Sequence, residues 1–230
     1  LIGCEFTDNA ASGSNKGSYG GAVYSWISSL KVSDSIFVNN SASDKGGAIY
    51  SSAGNAGDKN TLNASNCVFI NNSAKDGSAI FNEKTVSDVT NSVFINNSKG
   101  AVRSDIPMNI NDNWWGNSTP NWDDLLVVPD RQAGPGIPIS YVVLDVSHAK
   151  NDNSYDVIAN LYLNGTKTKA DIPLRDIELV YNSESIKGQL VNSTFKANYP
   201  FTEPGIYTVL AIVDNDIQKV SIVIKEVVLL

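Results

Sequence analysis

Two short patterns, F-x-x-N and G-G-A-[IV], alternate through the first half of the chain. The first occurs as Phe6–Asn9, Phe37–Asn40, Phe69–Asn72 and Phe94–Asn97, with the phenylalanines 31, 32 and 25 residues apart. The second occurs as Gly20–Val23, Gly46–Ile49 and Gly77–Ile80, where Ser78 takes the second glycine's place. A shortened copy, Gly100–Val102, has Lys99 where the first glycine would stand. A unit that recurs at such a period buries its apolar face only by stacking on its neighbours, which makes this half a solenoid.

Within one unit, Leu62, Ala64, Cys67 and Phe69 are separated by Asn and Ser, and Leu30, Val32, Ser35 and Phe37 are their equivalents one unit earlier. That pattern suits short strands joined by tight turns rather than a helix. Stacked at the strand spacing of about 4.8 Å, Phe6, Phe37, Phe69 and Phe94 form one internal column. Each buried ring contributes roughly 1.5–3 kcal/mol, and ring–ring contact adds about 0.5–1.5 kcal/mol. Asn9, Asn40, Asn72 and Asn97 fall at the turn after each strand, where stacked amides bond to one another and to the turn backbone. The glycine pair permits a corner that a side chain would obstruct. The predicted fold is all-β and begins with a right-handed parallel β-helix of about four rungs.

The paired motif, repeated four times in the same order over roughly residues 1–122, resembles the repeat of chlamydial polymorphic outer membrane proteins. It is similar also to adhesin-like surface proteins of methanogenic archaea. The fourth copy departs from the pattern at Lys99 and is shorter, as a terminal rung would be. The resemblance implies an extracellular, cell-surface protein that adheres to a partner-cell surface protein or glycan. It also implies that Asn113-Trp114-Trp115-Gly116 closes the β-helix, as a similar sequence does in the archaeal proteins.

A formal charge of −7 and a pI near 4.6 argue against a nucleic-acid partner. No signal peptide or membrane-length apolar run is present in the sequence, so no membrane insertion is expected within it. Leu1 lies five residues before the first motif Phe, and the chain is expected to start inside a longer protein. Cys4 and Cys67 occupy the same rung position with Ser35 between them. Two rungs separate them by about 9–10 Å, too far for a disulfide, and both read as small internal side chains. Asn39, Asn63, Asn71, Asn96, Asn117, Asn164 and Asn192 each open an N-x-[ST] triplet. Surface glycosylation and the bare composition of an Asn/Ser-rich repeat both account for them.

Trp114, Trp115 and Trp122 follow the last rung. A solenoid's open end must be covered, and these three side chains suit a cap. Large aromatics also suit a platform on which sugar rings stack. Residues 1–133 form the predicted solenoid with its cap, and Gly134–Pro138 is a linker of turn formers. Residues 139–230 change to longer alternating segments. Ile139–Val146, Tyr155–Leu163, Ile177–Tyr181, Gln189–Ala197, Ile206–Val213 and Gln218–Val228 read as strands of an Ig-like β-sandwich. The stretch from Phe201 to Asn215, with Pro-Gly-x-Tyr-x-Val inside it, resembles bacterial and archaeal surface Ig-like repeats. Tyr207 is then a candidate tyrosine corner, its hydroxyl bonded to nearby backbone.

Catalytic patterns are sparse. A glycoside hydrolase needs two carboxylates flanking the scissile bond. A lyase on a β-helix needs clustered carboxylates and a basic residue. The solenoid's Asp8, Asp34, Asp44, Asp76, Asp88 and Asp105 do not recur as pairs on one strand, and Arg103 is its one arginine among the rungs. Asp44 and Asp76 read as turn residues, Asp123-Asp124 as a solvated loop, and His148 as solvent-facing. No enzyme activity, cofactor or metal site is expected. Asp112, Asp214 and Asp216 nonetheless lie in Asn/Asp-rich stretches of the kind that hold weak calcium.

Strand parity supplies the ligand-facing candidates. With Val23, Ile49 and Ile80 inward, Tyr24, Tyr50 and Phe81 point outward as a column, with Arg103 next in line. The same stacking would stabilise the sheet without any ligand. The sequence thus points to a monomeric adhesin fragment with Tyr24, Tyr50, Phe81, Arg103, Trp114, Trp115 and Trp122 as candidate contacts. A structural spacer and a polysaccharide lyase or hydrolase are the competing readings.

Overall fold

In the computed structural model the described residues are 1–13, 17–55, 60–98, 100–129 and 139–226. The linker expected at 134–138 and the motif substitution Lys99 lie outside them.

The first half is a parallel β-helix of four stacked sheets. Sheet one stacks β1 (Glu5–Thr7), β5 (Ile36–Val38), β9 (Val68–Ile70) and β13 (Val93–Ile95). Sheet two stacks β2 (Ala10–Ala11), β6 (Ser41–Lys45) and β10 (Ser73–Asp76). Sheet three stacks β3 (Val23–Trp26), β7 (Ile49–Ser52), β11 (Ile80–Glu83), β14 (Val102–Ser104) and β15 (Leu126–Val127). Sheet four stacks β4 (Leu30–Ser33), β8 (Thr61–Ser65) and β12 (Val86–Thr90). Every motif pairs with its own copy: Phe6 with Phe37, Phe37 with Phe69, Phe69 with Phe94.

The inward columns form the core. Phe6, Phe37, Phe69 and Phe94 lie face to face, each pair 4.9 Å between ring centres, and Trp115 continues the pile at 4.6 Å. Beside it, an Asn ladder runs from Asn9 to Asn97. Asn40 Oδ1 receives both the main-chain N–H and Nδ2 of Asn9 at 3.1 and 2.9 Å. Asn72 receives the same two donors from Asn40, and Asn97 from Asn72, all at 3.0 Å. Each amide also donates back to a phenylalanine carbonyl of the preceding rung. The residue before each ladder Asn, namely Asp8, Asn39, Asn71 or Asn96, turns the corner at positive φ, a conformation that Asn and Asp reach more readily than other non-glycine residues. Cys4 and Cys67 share a parallel column with Ser35 and Ser92. In it Ser35 accepts from Cys4 N–H and Ser92 from Cys67 N–H, each at 3.1 Å. Both thiols are free.

Both glycines of the corner are needed. Gly46 sits at φ +66°, while a Cβ on Gly47 would lie 2.1 Å from the carbonyl oxygen of Ser78 on the next rung. The first position needs the dihedral and also space, since a Cβ there would lie 2.4 Å from the Ile49 carbonyl oxygen, and the second needs the space alone.

Sandwich strands are β16 (Val142–Asn151), β17 (Ser154–Leu163) and β20 (Thr194–Tyr199) in one antiparallel sheet. The other holds β19 (Glu184–Gln189), β18 (Asp176–Tyr181), β21 (Gly205–Val213) and β22 (Asp216–Ile224), in that order. This is the arrangement of an Ig-like sandwich. Tyr207 Oη donates to the Glu203 carbonyl at 2.8 Å, four residues upstream, which is the predicted tyrosine corner. Except for Gln189, which it joined to the following strand, the sequence reading left β19 unassigned. Its side chains are almost all exposed, so no apolar alternation marks it, and the Asn182-Ser183 and Asn192-Ser193 turns, all four residues at positive φ, are what bound it.

Of three further departures, two concern the junction and one concerns sheet two. The solenoid runs past the tryptophans: the short helix α1 (Trp122–Leu125) carries Asp123 and Asp124 and leads into β15, so those acids start a helical turn rather than a loop. Ser140 and Tyr141 are still paired to the solenoid end, through Ser140 O to Asp112 N and an Asn113–Tyr141 bridge. Asp44 and Asp76 lie in strands of sheet two, not in turns.

Candidate functional site

The candidate contacts fall into two groups, and packing treats them differently. On sheet three the parity is as predicted. Ile49 and Ile80 are in the solenoid core, while Tyr24, Tyr50, Phe81 and Arg103 stand in register on the outer side. Tyr24 and Tyr50 stack at 5.3 Å and 4° between planes, and Tyr50 and Phe81 at 5.8 Å. The Arg103 guanidinium lies 5.6 Å from the Phe81 ring centre.

Tyr50 and Phe81 are nevertheless buried, 2% and 1% exposed, which corrects the expectation that the whole column faces a ligand. The cover comes from sheet two and its approach, across the glycine corner. Tyr19, Lys45 and Asp76 stand in register with one another. Each reaches diagonally to the next rung: Tyr19 stacks on Tyr50 at 4.8 Å, Lys45 Nζ lies 4.4 Å over Phe81, and Asp76 pairs with Arg103 at 2.9 Å. Tyr50 Oη also donates a short hydrogen bond to Glu83. Burial, with that bond to Glu83, pushes the Tyr50 phenol well above the ordinary tyrosine range. Tyr19 and Lys45 were missed in the sequence because the corner positions repeat in register but not in identity.

Tyr24 and Trp26 are 52% and 49% exposed, their ring centres 6.4 Å apart and their planes within 4° of parallel. Ile27, half exposed at positive φ, borders them. Tyr24, Trp26, Ile27 and the edge of Tyr19 make one aromatic patch. Trp26 is the member that strand parity names directly, two residues beyond Tyr24.

The tryptophans serve the interior. Successive residues of a strand face opposite sides, so Trp115 enters the lumen under Phe94 while Trp114 turns outward. Trp114 is not open to solvent there: it is fully buried with Val68, Val93 and Ile95 against the sandwich core. Its indole donates to Asp214 at 2.7 Å, and Arg175 pairs with the same carboxylate. Asp216 accepts from Ser118, and Asn215 bonds to Asn96 and to the Gly116 carbonyl. The three residues read as calcium candidates thus divide: Asp214 and Asp216 clamp the two domains, and Asp112 turns a solenoid corner at φ +60°. Trp122 alone of the three stays partly exposed, edge-on to Trp115 and Tyr141. Burial corrects the reading of Trp114 and Trp115 as a ligand platform.

A family model, the Chlamydia polymorphic membrane protein repeat, matches residues 34–52 and 66–83. Each match spans one F-x-x-N with its following glycine corner, and in the structure the two segments are parallel neighbours on sheets one and three. Searches of the curated proteins and of the solved structures each found no match.

Proposed function

We propose that this chain is part of an extracellular cell-surface protein that adheres to another cell or to a surface glycan, with the Tyr24–Trp26 patch as its contact. The observation that carries the proposal is the pair of parallel, half-exposed rings of Tyr24 and Trp26. Exposed large aromatics with aligned faces suit sugar rings and hydrophobic side chains. Their fixed backbone avoids part of the ordering cost of binding. The match to a repeat of a membrane protein of Chlamydia supports a surface setting, as does the resemblance to archaeal adhesin-like proteins. The protein acts as a monomer and catalyses no reaction in this reading.

Binding of the whole chain to a glycan array and to intact cells tests it, beside a Tyr24→Ala/Trp26→Ala variant. Binding lost in the variant, with the melting temperature unchanged, is the expected result. Full binding by a folded variant would remove the patch from the account. A second reading, a structural spacer, is favoured by the use of Tyr50, Phe81, Trp114 and Trp115 for packing. No binding by the unmodified chain would support that reading.

A further inference from the structure

The Asn ladder ends at Asn97, whose main-chain N–H and second side-chain N–H meet no further amide oxygen among the described residues. On each rung one amide oxygen accepts the main-chain N–H and Nδ2 of the rung before, and Asn97 is the last to do so. The register that sets Val93 against Trp114 and Phe94 under Trp115 puts the next ladder position at Ser118. Ser118 instead turns to the sandwich, where its hydroxyl bonds to Asp216 and accepts from Leu144 N–H at 2.7 Å. Among the described residues, no oxygen replaces the missing amide: Asn97 Nδ2 donates to the Phe69 carbonyl at 2.9 Å, and its main-chain N–H has no acceptor.

A pocket of about 210 Å³ lies at this end of the ladder, lined in part by Asn97, Trp115, Ala101, Leu125, Asn117 and Asn121. It contains a further unsatisfied donor, because the buried indole N–H of Trp115 also lacks a partner. The wall also carries apolar side chains and the Asp124 carboxylate, which already accepts from Asn121 Nδ2 at 2.7 Å, so the Asn97 and Trp115 N–H groups are the donors left for a ligand.

We infer that this pocket binds the acetamido group of an N-acetylated amino sugar. Its carbonyl oxygen is the same chemical group as the missing Asn oxygen, and like it can accept two N–H donors at once. Its methyl matches Ala101 and Leu125. Asn117 Oδ1 already accepts from Thr119 N–H at 2.9 Å and Asn121 Nδ2 donates to Asp124 at 2.7 Å, so Asn117 Nδ2 offers a donor and Asn121 Oδ1 an acceptor to sugar hydroxyls. The volume is below the roughly 300 Å³ at which drug-sized sites begin, which fits one sugar ring. The site is separate from the Tyr24–Trp26 patch and does not depend on it.

The test is a titration of the 15N-labelled whole chain, followed by amide NMR, with three probes. These are methyl N-acetyl-glucosaminide, methyl glucoside and N-acetylglycine methylamide. The expected result is movement of the Asn97 main-chain and side-chain N–H and the Trp115 indole N–H with the acetylated sugar alone. Asn117→Ala, with its melting temperature unchanged, should bind that sugar roughly five- to tenfold more weakly, the worth of about one hydrogen bond. No movement with the acetylated sugar, or equal movement with the glucoside or the acetylated peptide, would overturn the inference. So would unchanged affinity in a folded Asn117→Ala.

Discussion

Single side chains hold the rungs in register, and Asn40 shows how. It is fully buried, its oxygen accepts twice from Asn9, and its amide donates to Asn72 and to the Phe6 carbonyl. Asn40→Ala removes a donor from the buried Asn72 oxygen and from the Phe6 carbonyl, while exposed Asn9 can turn to water, so we expect a loss of about 1–3 kcal/mol in chemical denaturation. The ladder was legible in the sequence because the same residue recurs at the same place in every rung. Cys67 gives a pH prediction. Burial pushes its thiol up to about 11 from 9.0, so the folded state favours the protonated form. Its contribution to stability is complete below the unfolded thiol's range and is lost as pH rises through about 11. At pH 8 a disulfide-exchange reagent should label the partly exposed Cys4 and spare Cys67 until denaturant is added.

At the scale of the element, close stacking at the corner decides which glycines are replaceable. Gly47→Ala drives a methyl against the Ser78 and Ser73 carbonyls, and a cost of about 3 kcal/mol is expected. Gly165→Ala meets nothing within 4 Å and bears only its φ of +70°, about 1–2 kcal/mol. Thermal melts of the two variants should differ accordingly. The sheet-three column was legible through alternation, since Tyr24, Tyr50, Phe81 and Arg103 recur at one parity. Its cover was not, because Tyr19, Lys45 and Asp76 come from another sheet and act one rung out of step. Burial of Trp114 was hidden for a similar reason. Period-two alternation says that adjacent tryptophans diverge, but only the sandwich's position says that the outer face is also dry.

On the scale of the whole molecule, sheet one and the sandwich form one unit. The outward positions of sheet one change from Glu5 and Ile36 to Val68 and Val93 along the solenoid, and the last two are buried with the sandwich core. That gradient lay in the sequence but became meaningful only once a second layer was known to cover it. Asp214 closes the contact, holding Trp114 and Arg175 with both members of its ion pair largely buried. Removing one partner of such a pair costs about 3–5 kcal/mol. The central claim is that solenoid and sandwich unfold together, so that the exposed aromatic patch rides on a single stiff body. Scanning calorimetry of the whole chain and of Asp214→Ala tests this most directly. The account predicts one transition for the unmodified chain, with calorimetric and van't Hoff enthalpies equal, and two for the variant. Two separated transitions in the unmodified chain would contradict it.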